Sequence, residues 1–223
     1  MRRVDGTISA TPKPHQACEK TTVISRTGPR RSESVRLAVL HAADDLLVER
    51  GFSALTIEGI AQRAGVAKQT IYRWWKSKVD ILLDTLTDDA REALEWRPDE
   101  EAGVEENLTS HLRRVADFFE EPAGQVLLAL LGHAQLDSET AASLRSEFLH
   151  EQRKRDMAGL RELLAREQDL VIDDRTIEHA VDVLLGPVYY RVLLFGSPVD
   201  RDLVETSSRL ALDLVRRPSK ADR

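Results

Sequence analysis

A single cysteine, Cys18, in 223 residues excludes an intramolecular disulfide framework and a cysteine-based zinc site, a usage that fits a reducing compartment. We read Cys18 as an idle thiol. No apolar run approaches the ~18 residues needed to span a bilayer, the best being residues 126–131, and the N-terminus carries charge without an apolar signal core. The expectation is a cytoplasmic chain with no membrane partner. Catalytic signatures are missing as well: there is no G-x-S-x-G, no P-loop lysine and no H-E-x-x-H, and the six histidines are scattered. Only His150 and Glu147 could share a helix face, which is too little for a metal site. No catalytic residue, metal or cofactor is expected. Sustained alternation of apolar and polar residues and Asn-Gly hairpin signals are absent too, which excludes a sheet protein.

What is present is ordinary in bulk and uneven in distribution. Apolar residues at 42% and charged residues at 31% fit one or two globular domains. The net charge of −6 argues at first against a polyanionic partner. Division of the chain reverses that inference: residues 1–84 carry a net +5 and residues 85–223 a net −11. Residues 59–79 hold Arg63, Lys68, Arg73, Lys76 and Lys78 with no acidic residue.

Residues 1–32 lack periodicity and are expected to be a disordered basic tail, read either as a solvated segment or as a DNA-touching arm ending at Arg31. From residue 33 the apolar period is helical. A first helix buries Val35, Leu37, Ala38, Leu40, Ala42, Leu46 and Leu47 and ends at Gly51 in a left-handed cap. Thr56 caps a second helix over 57–64 that stops at Gly65, and a third runs from Lys68 to about Trp75. Ser77 and Asp80 form a capping box for a fourth helix reaching about Trp96. Helices over 106–120, 124–136, 138–168, 174–195 and 200–217 follow, about nine in all.

The spacing of Ala61, Gly65 and Ile71 carries the chemistry. Two helices crossing through a tight turn need a small residue at their close approach and one tolerant of positive φ at the turn. Ile71 then faces the core with Trp75 one turn on, leaving Lys68, Gln69, Thr70, Tyr72 and Arg73 on the other faces. Lys and Arg suit guanine O6/N7 or phosphate, Gln suits adenine N6/N7, and Thr and Tyr hydroxyls suit phosphate oxygens. Lys78 adds a cation at the N-terminus of the fourth helix.

The stretch GFSALTIEGIAQRAGVAKQTIYRWWKSKVDILLDTL, residues 51–86, resembles the DNA-binding domain of TetR-family transcriptional regulators. Gly65, Val66, Lys68, Thr70, Ile71, Tyr72, Trp75, Ser77 and Lys78 match that family's pattern in type, and the resemblance implies phosphate contacts for Thr70, Tyr72 and Lys78. Ala67 replaces the family's usual serine and removes a helix cap. Gln69, Arg73 and Trp74 also depart from the pattern and are the candidates for this chain's own sequence reading; Trp74 is placed either on the sugar-phosphate backbone or on the tail. With Arg31 and Thr56, these residues complete the expected DNA-binding set.

The resemblance implies that the acidic half is a helical effector-binding and dimerisation domain, giving an all-α chain with a tail over 1–32, a three-helix helix-turn-helix domain over 33–80, a helical domain over 81–218 and a disordered end over 219–223. Ile177, Val181, Leu184, Val188, Val192 and Phe195 form one apolar stripe; Ala180, Val183, Pro187, Tyr190 and Leu194 form another. A helix apolar nearly all round is buried on two sides. The expected two-fold interface uses Val181, Leu184, Val188, Val192, Leu203, Leu210 and Leu214. Gly186 and Pro187 are expected to bend their helix and wall a pocket. Pocket-compatible residues are Trp96, Phe118, Phe119, His133, Phe148, Met157 and Tyr189, and acidic walls suit a neutral or cationic effector better than an anion. The expected function is a ligand-responsive homodimeric repressor that binds a palindromic double-stranded DNA operator and is released by a small molecule. The alternatives are a helical adaptor acting through the acidic half and, behind it, an enzyme using the C-terminal cavity.

Overall fold

Helix boundaries in this chain are set largely by short-range caps. The computed structural model describes residues 29–167 and 172–217, with side chains from residue 33 onward. The tail over 1–28, Cys18, the side chain of Arg31 and the segment 219–223 lie outside the described residues. Helix α1 spans Pro29–Ala54, beginning four residues before the expected start; a proline in the first turn donates no N–H that the helix needs. Gly51 interrupts it at φ 75°, ψ 167°. This is not the left-handed cap expected but the mirror-extended region, which is open essentially to glycine alone.

Helix α2, Ile57–Ala64, starts as expected at Thr56, whose Oγ1 accepts from the Gly59 N–H at 3.1 Å. It ends at Gly65 in the left-handed conformation, φ 67°, ψ 30°. There the Val66 N–H reaches Ala61 O at 3.0 Å and the Gly65 N–H reaches Gln62 O at 3.3 Å, the paired bonds of a Schellman stop. Helix α3, Lys68–Tyr72, has no side-chain cap at Ala67, as the missing serine implies. It is shorter than expected. Arg73 and Trp74 already lie in the turn, where the Trp74 and Trp75 N–H groups both converge on Ile71 O.

Helix α4, Lys78–Ala93, opens on the expected capping box: Ser77 Oγ accepts from the Asp80 N–H at 3.2 Å, and Asp80 Oδ2 accepts from the Ser77 N–H at 3.1 Å. Helices α5, Val104–Phe118, and α6, Pro122–Ala134, follow. Pro122 is the first residue of α6, not merely the stop of α5. Gly124 is required there, because a Cβ would lie 2.1 Å from Phe118 O. Helix α7 covers residues 138–164 and changes pitch inside: Ser138–Ser143 is α-helical, Leu144–Leu149 is a π-helical segment, and His150–Leu164 is α-helical again. Helices α8, Asp174–Phe195, and α9, Arg201–Val215, complete the nine helices among the described residues, which include no strand.

One continuous apolar core links both halves. It runs from Val39, Leu46, Ile60 and Ile71 through Ile81 and Leu86 to Leu112, Leu127, Leu163, Ile177, Leu184 and Val188. Helix α4 is the common member, packed on α1 on one side and on α6 and the π-helical segment on the other. Helix α8 lies along α9, which in turn packs on α5. Burial of this core at roughly 25 cal/mol per Å² is the main favourable term in the fold.

Candidate nucleic-acid interface and ligand cavity

The turn after α3 is anchored by a network that sequence reasoning missed. Trp75 is 5% exposed, and its indole N–H donates to Asp84 Oδ2 at 3.0 Å. Asp84 also receives a two-pronged bond from Arg36, Nε at 3.1 Å and a terminal nitrogen at 2.5 Å. Arg36 further reaches Asp88 at 2.8 Å and Glu33 at 3.0 Å. These partners raise the Arg36 pKa above its usual range, with the Asp84 hydrogen bond the largest cause. Helices α1 and α4 thus hold the end of α3 through bonds that bridge 48 residues of sequence. Only contact across the fold creates this network, so no local motif announced it.

With its core side fixed, α3 turns the remaining residues outward. Gln69, Tyr72, Arg73 and Trp74 are exposed, Tyr72 by 53% and Trp74 by 40%, and Thr70 is half-buried. Trp74 packs against Trp75 with ring centroids 5.5 Å apart. The five cations of the acid-free window are less alike in space than in sequence. Arg63 makes a two-pronged pair with Glu49, at 2.9 and 2.6 Å, and approaches Asp45 at 3.5 Å. Lys68 pairs with Glu58, one residue outside the window. Lys78 turns its ammonium inward to Phe52 O at 2.7 Å and Leu55 O at 3.1 Å and stands 4.1 Å above the Phe52 ring. Burial lowers its pKa. Among the described residues, Arg73, Lys76 and Lys78 are the window's cations without an acidic side-chain partner, and of these Lys78 is committed to backbone carbonyls. The Thr56 hydroxyl, also in the expected set, is committed to its cap but remains exposed at the start of α2.

The C-terminal half holds a cavity of about 470 Å³ between α7 and α8, within the size range of small-molecule sites. Its wall includes Leu149, Gln152, Asp156, Val181, Leu185, Gly186 and Tyr189, with Arg145, His150, Arg153 and Asp182 at the rim. Of the residues expected there only Tyr189 lines it, and Gly186 does contribute to the wall. Phe118, Phe119 and Phe148 are core, at 1%, 2% and 5% exposure. Met157 is half-buried against that core. His133 packs on Phe52 at the end of α1, centroids 4.5 Å apart, and does not line the cavity. Trp96 acts one step behind the wall: its indole N–H donates to Asp156 Oδ1 at 3.2 Å, and its ring stacks on His111 at 3.9 Å. The aromatic residues were sound choices as core; the carboxylate and amide between them carried no visible signal.

Behind the wall lies a buried polar group. His111 and Asp156 are 1% and 4% exposed, and His111 Nε2 stands 3.8 Å from Asp156 Oδ1 without a hydrogen bond. Burial, reinforced by Arg114, pushes His111 down to about 3. The imidazole is therefore neutral near pH 7, and the contact is not an ion pair. Burial pushes Asp156 up to about 6, against the hydrogen bonds from Trp96 and Gln152. Burial also raises the Tyr189 phenol.

The expected dimer residues divide. Val181, Leu184 and Val188 are 1%, 0% and 0% exposed inside the protomer, so they have no surface left for a partner. The second stripe divides along its length: Ala180 is buried and Val183 and Pro187 are half-buried, but Tyr190 and Leu194 are exposed by 58% and 67%, and Leu193, Phe195 of the first stripe and Leu210 are exposed as well. Val192, Leu203 and Leu214 are half-buried at its edge.

Comparison with known proteins agrees with this geometry. Residues 39–85 match the family model described as bacterial regulatory proteins, tetR family, and residues 98–211 match the tetracyclin repressor-like C-terminal domain. The chain is 36% identical over 184 residues to YdeS of Bacillus subtilis (strain 168), an uncharacterized HTH-type transcriptional regulator, covering 81% of this chain and 91% of that protein. The crystal structure of the TetR family transcription regulator SCO0332 superposes with a TM-score of 0.65 at 33% identity, over 81% of this chain and 97% of the other. The structure of Salmonella enterica GusR shares the fold at a TM-score of 0.61 and 18% identity, over 86% and 99% of the two chains.

Proposed function

The chain belongs to the TetR family of DNA-binding transcriptional regulators, and from that premise we propose that it is a homodimeric, ligand-responsive repressor of a palindromic operator. The observation that carries the reading is the combination of a fixed inner face and an open outer face on α3. Ile71 and Trp75 are locked in the core, so Gln69, Tyr72 and Arg73 present themselves as one surface to a major groove. Thr70, Lys68 and the start of α2 flank that surface for phosphate contact, with Lys68 exchanging Glu58 for a phosphate oxygen. Lys78 supports the site from beneath by tying α4 to the end of α1, with one N–H left over for phosphate.

Two copies are joined through the exposed stripe of α8 and α9, centred on Tyr190, Leu193, Leu194, Phe195 and Leu210. An apolar surface of this kind is costly in water and marks an interface. Isologous pairing of these helices makes a four-helix bundle and sets the two α3 surfaces one or more DNA turns apart, each turn roughly 34–36 Å. The cavity between α7 and α8 is the sensing site. Its occupant releases DNA only by binding the off-DNA conformation more tightly than the operator-bound one.

Sedimentation equilibrium with and without DNA from upstream of the chain's own gene tests this assembly. Wild type is expected to sediment as a dimer and to load two protomers per operator. Tyr190→Glu/Leu194→Glu is expected to be a folded monomer with operator affinity at least ~100-fold weaker, because each half-site then binds alone. A dimer that survives both substitutions contradicts the interface.

A further inference from the structure

The Asp156 carboxylate is buried without a close ion pair among the described residues, Arg153 and Arg155 acting on it only from a distance. Its Oδ1 takes bonds from Trp96 Nε1 and from Gln152 Nε2 at 3.2 and 3.1 Å; Oδ2 takes none from the described residues and is not sealed off. His111, the basic group within 4 Å, is neutral near pH 7. Arg153, the cation on the cavity rim nearest in sequence, is committed to Asp182 at 2.6 Å and Glu178 at 3.2 Å. Asp156 lines the cavity, and Oδ2 is its oxygen left free for an occupant. Beside it the wall offers apolar surface from Leu149, Val181 and Leu185, together with Gly186, the Gln152 amide and Tyr189.

We propose that the cavity between α7 and α8 binds an amphipathic molecule with a single cationic amine head, the head held by Asp156 and the apolar body by Leu149, Val181 and Leu185. The proposal rests on the reading of the cavity as the sensing site and names what it senses. A carboxylate removed from water and left unpaired destabilises its surroundings, and a cation brought in with the ligand offsets that cost where water cannot screen the pair. Arg145 and His150 also line the cavity, but both are exposed, and screened charges contribute little. The buried charge therefore decides the sign of the ligand. Burial also places the Asp156 pKa at about 6, so the carboxylate is ionised at neutral pH and ready to pair.

The site is held in place before any ligand arrives. Trp96 lies directly on Gly159, where a Cβ would come 2.2 Å from the indole Cγ, and from that seat its N–H fixes Asp156. The π-helical segment immediately upstream supplies Arg145 and Leu149 to the cavity; such turns recur at functional sites. A preorganised carboxylate loses little conformational entropy on binding.

Isothermal titration calorimetry at about pH 7.5, above the carboxylate's pKa, separates the head group from the body. The probes are 4-phenylbutylamine, 4-phenylbutanol and 4-phenylbutyrate, which share one apolar body. The full-length protein is expected to bind the amine at least ~10-fold more tightly than the alcohol, and the carboxylate no better than the alcohol. Asp156→Asn keeps an acceptor for Trp96 and Gln152 while removing the charge. It is expected to bring the amine to the alcohol's affinity and to leave the alcohol within about twofold. The proposal is overturned if amine and alcohol bind alike, if the carboxylate binds best, if the amine preference survives Asp156→Asn, or if none of the three binds up to ~10 mM. Titration of the amine into the protein–operator complex reports on the sensing role separately: selective binding without DNA release leaves the amine site standing and contradicts the sensor.

Discussion

Asp44 is half-buried on α1 with Oδ1 sealed from water and without a hydrogen bond. Burial, with Asp89 and Asp45 adding repulsion, pushes its carboxyl up to about 6. The folded state therefore binds the Asp44 proton more tightly than the unfolded chain, whose carboxyl titrates near ~3.9. Ionisation of Asp44 destabilises the fold above about pH 6, and that penalty disappears as the pH falls below ~4. Asp44→Asn is accordingly expected to raise Tm at about pH 7.5 by roughly 2–4 °C per kcal/mol recovered and to leave it unchanged near pH 4. Thermal unfolding at the two pH values checks the sign, and a variant less stable at both contradicts it. At this scale, what the sequence discloses depends on reach. Thr56, Gly65, Ser77 and Asp80 were legible because each acts within five residues of itself. Lys68, Lys78 and Asp84 were not, because their partners are set by helices that meet only in the folded chain.

Gly51 shows how one element's end supports another. Its φ of 75° and ψ of 167° turn the chain so that the carbonyls of Phe52 and Leu55 point at Lys78. A Cβ at Gly51 meets no atom within 4 Å, so the strain of a substitution lies wholly in the backbone. Gly51→Ala is expected to lose about 1–3 kcal/mol and to lower Tm by several degrees. Calorimetric unfolding tests this, and an unchanged Tm would mean that the segment relaxes freely. Sequence periodicity found both stripes of α8 but assigned to an interface residues that the protomer buries itself. Val181, Leu184 and Val188 pack inward while Tyr190 and Leu194 face out. Two apolar faces on one helix are equivalent in sequence, and only the position of α9 and α5 distinguishes them. The early end of α3 was hidden for a similar reason: Trp74 and Trp75 keep apolar spacing while their N–H groups crowd onto one carbonyl.

On the scale of the whole molecule, α4 joins the DNA-facing helices and the C-terminal helices into a single apolar core, so a change around α6 or α7 has a packed route to α1. The charge division sharpens in three dimensions. Of the basic window, Arg63 and Lys68 pair with neighbouring glutamates and Lys78 is turned onto backbone carbonyls, which concentrates the available charge on Arg73 and Lys76 beside Gln69 and Tyr72. DNA affinity as a function of salt tests most directly whether that small surface binds DNA. Fluorescence anisotropy with labelled DNA from upstream of the chain's own gene is expected to show log affinity falling linearly with log salt. Arg73→Ala is expected to flatten the slope by about 2, one phosphate contact from each protomer. Gln69→Ala/Tyr72→Ala/Arg73→Ala, still dimeric, is expected to bind at least ~100-fold more weakly. Wild-type affinity that is indifferent to salt, or a triple variant that retains full affinity, would contradict the assignment of this surface to DNA.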